Sequence, residues 1–193
     1  MTSSSRVSVA LVSVVSAVGL FLTAPSPASA TTPTLNVSIA MFAFSPSNLM
    51  SPLGDQVNWT NNDSVQHTST SNQGFWGSPV INPGASWSRT FTQAGTYAYH
   101  CAIHTSMHGT VSVPMRVSPR TGGGVLVWSL AAGRFDVQIE RPGTTLWATY
   151  RSSTTALSAT FTTTRKGTYH FRARTHHSAS VSGWSPSVAL SVS

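Results

Sequence analysis

Residues 95–107 read GTYAYHCAIHTSM, an alternating run of aromatic and small residues that leads into a loop with further sulfur and imidazole groups. Side chains alternate across a strand, so Tyr97, Tyr99 and Cys101 share one face. The two aromatic rings mark that face as the core side. We therefore predict a core strand that carries Cys101 at its inner end.

The loop beyond this strand adds His104 and Met107 at C-x2-H-x2-M spacing, and His67 offers a second imidazole upstream. Two imidazoles, one thiolate and a weak thioether form the donor set of a mononuclear blue-copper site. The soft sulfur ligands suit copper, and a trigonal arrangement with a long axial bond suits one-electron cycling. We expect one Cu(II)/Cu(I) site held by His67, Cys101, His104 and Met107.

The first 30 residues have the pattern of a secretion signal. Arg6 is their only charged residue, an apolar stretch covers residues 7–24, and residues 28–30 read Ala-Ser-Ala. Such an ending is typical of a signal peptidase site. We therefore expect a signal peptide over residues 1–30, cleavage near Ala30, and a secreted, extracellular or cell-envelope protein. An uncleaved membrane anchor is the alternative.

Cys101 is the only cysteine in the chain, so it has no partner for an internal disulfide. A free thiolate outside the cell is open to oxidation, whereas metal coordination occupies it. The alternative is a buried, inert cysteine that packs as a small apolar residue. The histidine and methionine that follow it in register favour the metal ligand.

Strand signals recur throughout the mature chain, separated by Gly, Pro and Asn turns, and this pattern is typical of an all-β sandwich. Charge divides the chain in two: residues 31–115 carry one Arg against two Asp, whereas residues 116–193 carry nine Arg or Lys against two acids. We therefore predict a copper domain over residues 31–113, a linker or first-strand region over 114–124, and a second β-sandwich over 125–193.

Motifs upstream of the cysteine loop include FSPSNL at residues 44–49, GDQVNWTNND at 54–63, and the His67-Thr68 pair. Together with the Cys101 loop, they resemble the plastocyanin/amicyanin branch of the cupredoxins, and the short loop is most similar to that of amicyanin. The resemblance implies a Greek-key β-sandwich and a one-electron carrier that works with a redox partner protein. It also implies the roles of the ligands: His67, Cys101 and His104 equatorial, Met107 axial.

The second predicted domain ends with GTYHFRAR at residues 167–174 and GWSP at 183–186. These motifs resemble the last two strands of a fibronectin type III domain, an immunoglobulin-like β-sandwich. The resemblance implies that Tyr169 is the tyrosine of the corner motif. Arg172 and Arg174 alternate outward on this strand, which indicates either a solvated face or attraction to an anionic cell-envelope polymer or a membrane surface.

Three functions remain open from the sequence: one-electron transfer, extracellular copper binding for delivery or sequestration, and adhesion with a secondary copper site. Enzymatic activity is not expected. The chain has only four acidic residues, which leaves little material for carboxylate catalysis, and it lacks the paired His-x-His elements of the multicopper oxidases. Nucleic acid is not expected as a partner of an exported protein.

Residues near the predicted ligands carry weaker signals. Asp63 could support His67, but Asp and Asn also form turns through their own backbone, which is the simpler interpretation. Thr68 could hydrogen-bond across the site and hold the ligand loops together. His100 points away from Cys101 and is expected at the surface. Met41 closes an alternating run and is expected in the core.

Overall fold

A computed structural model describes residues 33–193, in which every regular element is a β-strand. The predicted signal peptide, residues 1–30, lies outside the described residues. The predicted all-β class is confirmed: one β-sandwich is followed by a second. Within residues 33–193 no helix is long and apolar enough to cross a membrane.

The first sandwich consists of two four-stranded sheets, ordered β2-β1-β4-β6 and β3-β8-β7-β5. Two of its strand pairs are parallel, β1 with β4 and β3 with β8. The crossed connections that such pairing requires are those of a Greek-key sandwich. The strands are β1 (Thr34–Ala40), β2 (Ala43–Ser45), β3 (Asn48–Met50), β4 (Gln56–Asn61), β5 (Thr70–Ser71), β6 (Ser86–Thr90), β7 (Gly95–His100) and β8 (His108–Val113).

The core between these sheets is aromatic. Alternation along β7 buries Tyr97 and Tyr99, and Cys101 follows on the same side with no exposed surface. The prediction that these three side chains share the core face is confirmed. Trp59 of β4 fills the centre and packs edge-on against Tyr99, with 5.6 Å between the ring centroids. The cysteine therefore lies at the end of a rigid, closely packed strand.

The prediction that Met41 lies in the core is wrong: its side chain is 88% exposed. Strand β1 ends one residue earlier, and Met41 and Phe42 form a two-residue turn in which Ala40 pairs with Ala43. Both turn residues have left-handed backbones, with φ of 50° and 54°. Hairpin turns of this kind usually contain Asn-Gly or similar pairs. The sequence therefore gave no sign that the chain reverses here.

The second sandwich packs a sheet ordered β13-β10-β9 against one built from β12, β11 and β14, with β15 and β16 both paired to β14. Tyr169 donates a 2.9 Å hydrogen bond to the carbonyl oxygen of Arg165, the geometry expected of a tyrosine corner. The strands are β9 (Arg116–Arg120), β10 (Gly123–Val127), β11 (Arg134–Glu140), β12 (Trp147–Thr154), β13 (Ser158–Thr162), β14 (Gly167–His177), β15 (Ser180–Val181) and β16 (Val188–Val192).

The two sandwiches contact each other directly at the start of β7. Thr96 and Gly183 exchange two main-chain hydrogen bonds, each 2.9 Å long. The Thr175 hydroxyl donates to the carbonyl oxygen of Ala94 at 2.9 Å, and the Tyr97 hydroxyl lies 3.4 Å from the same Thr175 oxygen. The two hydrogen bonds of Thr175 are buried, so the contact is a specific interface.

Candidate metal centre

Three of the four predicted ligands meet at one point beyond the end of β7. The Cys101 Sγ atom lies 3.7 Å from His67 Nδ1 and 3.8 Å from His104 Nδ1, and the two nitrogens are 3.2 Å apart. A point in the plane of these atoms is equidistant from all three at about 2.1 Å, the length of a metal–nitrogen bond in proteins. The three groups therefore form a trigonal pocket of the size of one metal ion.

The loop that carries the C-terminal ligands is closed by main-chain hydrogen bonds. The Cys101 N–H donates to the Met107 carbonyl oxygen at 3.1 Å, and the Met107 N–H donates to that of His104 at 3.0 Å. The Met107 side chain is only 2% exposed and packs in the same core cluster as Cys101. The predicted axial ligand is thus buried in the short loop that also carries Cys101 and His104.

His67 comes from a separate segment that follows β4. Its N–H donates to the Ile81 carbonyl oxygen at 3.2 Å, and its own carbonyl oxygen accepts from the Ile81 N–H at 2.8 Å. The Asn61 side-chain amide donates to the carbonyl oxygens of Val65 and Ile81, at 2.7 and 2.9 Å. This network fixes the His67 backbone against the sandwich before any ion binds.

Asp63 orients the His67 ring. Its carboxylate lies 3.3 Å from His67 Nε2, which leaves Nδ1 directed at the pocket. Burial lowers the pKa of His67, although the hydrogen bond to Asp63 opposes this effect. The hydrogen bond from the Phe42 N–H, together with that from Ser64, holds the pKa of Asp63 below its usual value. A neutral imidazole with one nitrogen hydrogen-bonded to a carboxylate is the state in which histidine binds metals.

Thr68 contacts the cysteine sulfur. Its N–H points at Cys101 Sγ from 3.3 Å, and its hydroxyl accepts a 2.8 Å hydrogen bond from the Ala102 N–H. A hydrogen bond to the sulfur of a blue-copper cysteine is one of the features that tune its redox potential. Thr68 therefore joins the two ligand segments, as its position in the sequence suggested.

Phe42 covers the imidazoles, and no sequence pattern indicated this. Its ring stands edge-to-face to His104, with 4.9 Å between ring centroids, and to His67, with 5.8 Å. The side chain is still 52% exposed, so it lies between the histidines and the solvent. A residue-by-residue comparison with related chains could have found it, because the turn has no composition signal of its own.

His100, which precedes the cysteine, is partly exposed and is not grouped with the three pocket residues. The His100 ring turns away from the pocket and its Nδ1 lies 2.7 Å from the Asn72 side-chain oxygen. Within residues 33–193 the metal-binding geometry is satisfied by one group of side chains, His67, Cys101 and His104. Two imidazole nitrogens and one thiolate suit copper or zinc, and a buried thioether beside them favours copper.

Sequence comparison identifies the family of the chain. The sequence model of the cupredoxin-like domain matches residues 12–113, and the chain belongs to this family. Amicyanin from Paracoccus denitrificans is 35% identical over 82 residues, which are 40% of this chain and 63% of the length of that relative.

Solved structures give similar matches. A purple cupredoxin from Nitrosopumilus maritimus is 32% identical, with 41% of this chain and 98% of that chain covered and a TM-score of 0.39. A reduced Cu(I) form of an amicyanin variant is also 32% identical, with 45% of this chain and 87% of that chain covered and a TM-score of 0.41.

Proposed function

We propose that this protein is a secreted type 1 copper protein that acts as a one-electron carrier. The observation that carries the proposal is the pocket in which His67 Nδ1, Cys101 Sγ and His104 Nδ1 lie within 4.8 Å of one another. Copper bound there would supply the exchange between Cu(II) and Cu(I). Met107 would be its axial ligand.

The surrounding residues keep the ligands in place. Main-chain hydrogen bonds close the loop between Cys101 and Met107, and the bridge to Ile81 holds His67. A site whose ligands are already positioned needs little rearrangement when the charge of the ion changes. This property suits a carrier better than a protein that must release its copper.

His104 is the predicted ligand that reaches the protein surface. His67 and Cys101 have no exposed surface and Met107 has 2%, whereas His104 is partly exposed. We expect a redox partner protein to approach at this imidazole.

The decisive test is the visible spectrum of the purified chain with added Cu(II). We expect an intense blue band that Cys101→Ser abolishes, because a hydroxyl oxygen cannot replace the soft thiolate. His108→Asn is the matched control, since His108 is exposed and follows the ligand loop. A colourless protein that exchanges Cu(I) readily would instead indicate copper delivery or sequestration.

Met107→Leu tests the axial ligand. We expect the variant to keep its copper and colour and to gain reduction potential, because the loss of an axial donor disfavours Cu(II). Cyclic voltammetry of both proteins measures the change. An unchanged potential would mean that Met107 only packs in the core.

We also propose that the second sandwich is fibronectin type III-like and attaches the carrier to an anionic polymer of the cell envelope. The tyrosine corner at Tyr169 supports the fold, and the nine cations of residues 116–193 support the attachment. Export rests on the pattern of residues 1–30. N-terminal sequencing of protein recovered from the culture medium tests it, and a mature chain that begins near Thr31 is the expected result.

A further inference from the structure

Six of the nine cations of residues 116–193 fall into two groups, and the group on strand β14 is already engaged. The Arg172 guanidinium lies 4.1 Å from the Trp147 ring centroid and donates two hydrogen bonds to the Gln138 side chain. Arg174 donates to Asp136 at 2.9 Å. Neither side chain is available to a large anionic partner, although the sequence had suggested both.

The other group surrounds three turns at one end of the sandwich. The turn at 121–122 is joined to the turn at 163–166 by the Thr163 N–H, which donates to the Gly122 carbonyl oxygen at 2.9 Å. The loop at 141–146 is joined to the same turn by Arg165, whose side chain donates to the Pro142 carbonyl oxygen at 2.9 Å. We call residues 120–122, 141–146 and 163–166 together the basic pole.

The basic pole is positively charged. Four exposed cations lie on it: Arg120, Arg141, Arg165 and Lys166. No ion pair among residues 33–193 involves any of the four. The acid next to the pole, Glu140, is hydrogen-bonded to His170 at 3.1 Å.

The same pole carries an exposed apolar side chain. Leu146, at the end of the 141–146 loop, is 77% exposed, compared with 45% for Leu130 and 36% for Leu157 in the same sandwich. A leucine so exposed gains nothing from the fold of its own domain. An apolar side chain surrounded by cations is the combination that binds the interface of an anionic bilayer.

The position of the pole suits docking. Strand β14 begins at Gly167 beside the pole, and its Thr175 contacts the first sandwich. The pole is therefore at the end of the second sandwich opposite to the copper domain. A surface bound there leaves His104 accessible.

We propose that the basic pole docks on an acidic phospholipid surface, with Arg120, Arg141, Arg165 and Lys166 against lipid phosphates and Leu146 in the headgroup boundary. This proposal rests on the envelope attachment proposed above, but it assigns that attachment to the basic pole and to acidic lipid instead of a polymer. Leu146 favours lipid over a soluble or wall-bound polyanion, because only a bilayer offers an apolar layer beneath its charges.

The test is sedimentation of the full chain with vesicles of equal parts phosphatidylcholine and phosphatidylglycerol, with pure phosphatidylcholine vesicles as the reference. We expect binding only to the acidic vesicles, and a loss in 1 M salt, where the Debye length is about 3 Å. Lys166→Gln should weaken partitioning about fivefold. Arg134→Gln, the matched control at the other end of the sandwich, should not.

Leu146→Ser should weaken partitioning about tenfold, because the leucine no longer leaves water. Leu157→Ser, an exposed leucine away from the pole, is its control. Equal losses for Lys166→Gln and Arg134→Gln would overturn the proposal. Full vesicle binding by Leu146→Ser would also overturn it. If long-chain polyphosphate then binds wild type and Leu146→Ser equally well, the basic pole is a site for a polymer. The assay reads protein in the pellet, so its failure leaves the electron-carrier proposal unaffected.

Discussion

Replacing Tyr169 by phenylalanine tests whether the two sandwiches unfold as one unit. The side chain is 3% exposed, and its hydroxyl donates to the Arg165 carbonyl oxygen at 2.9 Å. Loss of this bond costs about 1.5 kcal/mol, within the range for a hydrogen bond whose partner is left unsatisfied. The hydroxyl is far from the copper ligands, so any effect on the first sandwich must pass through the interface.

The interface described above predicts cooperative unfolding. Ala94 and Met115 belong to the core of the second sandwich, and Val127 packs against that of the first. For one unit of about 160 residues, 1.5 kcal/mol lowers Tm by about 3–6 °C, whereas for a lone domain of about 80 residues the drop is about 6–12 °C. Differential scanning calorimetry of the full chain should therefore give one transition with the smaller shift.

Hydrogen exchange locates the effect. In a cooperative protein, Tyr169→Phe speeds the exchange of the slowest β7 amides about tenfold, as it does for those of β14, because 1.4 kcal/mol is a factor of ten in an equilibrium constant. Tyr97→Phe is the reciprocal variant, since its hydroxyl makes the same 2.9 Å bond to the Gln93 carbonyl oxygen. Two calorimetric transitions, or β7 amides that do not respond to Tyr169→Phe, would refute the reasoning.

Phe42→Ala should speed copper release to a chelator about 2- to 12-fold, since one aromatic contact contributes roughly 0.5–1.5 kcal/mol. Met41→Ala, in the same left-handed turn, should release copper at the wild-type rate. Equal release rates for the two variants would refute the role of Phe42. Burial raises the pKa of Tyr97 to about 12. The neutral, buried phenol therefore contributes about 2–3 kcal/mol to the free energy of unfolding below about pH 10, and this contribution is lost as the pH rises to about 12. Urea titrations over that range should show a shallower loss for Tyr97→Phe. Gly95→Ala should destabilise the chain by about 1–3 kcal/mol, because its Cβ would lie 2.5 Å from the Ser182 hydroxyl; Gly77→Ala, with nothing within 4 Å, should leave Tm unchanged.

The grouping of His67, Cys101 and His104 could be predicted from the sequence because it depends on donor chemistry and short spacing. Strand alternation placed Cys101 on the core face, and the short C-x2-H-x2-M spacing kept His104 close to Cys101. Phe42 could not be found in this way. Its turn contains neither glycine nor asparagine. The alternating pattern therefore extends to Met41 and predicts a continuous strand where the chain reverses.

The interface was also invisible in the sequence. Its hydrogen bonds come from the main chain and from hydroxyl groups, such as those of Thr96 and Thr175, which could equally face water. The second sandwich was predicted from GTYHFRAR at residues 167–174 and GWSP at 183–186, and β7 begins with the same Gly-Thr-Tyr as β14. Both tyrosines donate to the carbonyl oxygen four residues earlier, at 2.9 Å in each case.

The connection between the sandwiches has a consequence for the reach of the copper site. Only Pro114 and Met115 separate β8 from β9, and Met115 is 3% exposed. The connection is therefore too short to act as a flexible linker. About 20 Å of strand lies between the interface and Cys101, and about 26 Å of β14 lies between Thr175 and the basic pole. On a bilayer, we expect His104 to stand at a constant height above the headgroups. Electron donors buried in the membrane would then be too far from His104 for electron transfer. Its redox partners would be proteins that diffuse outside the membrane.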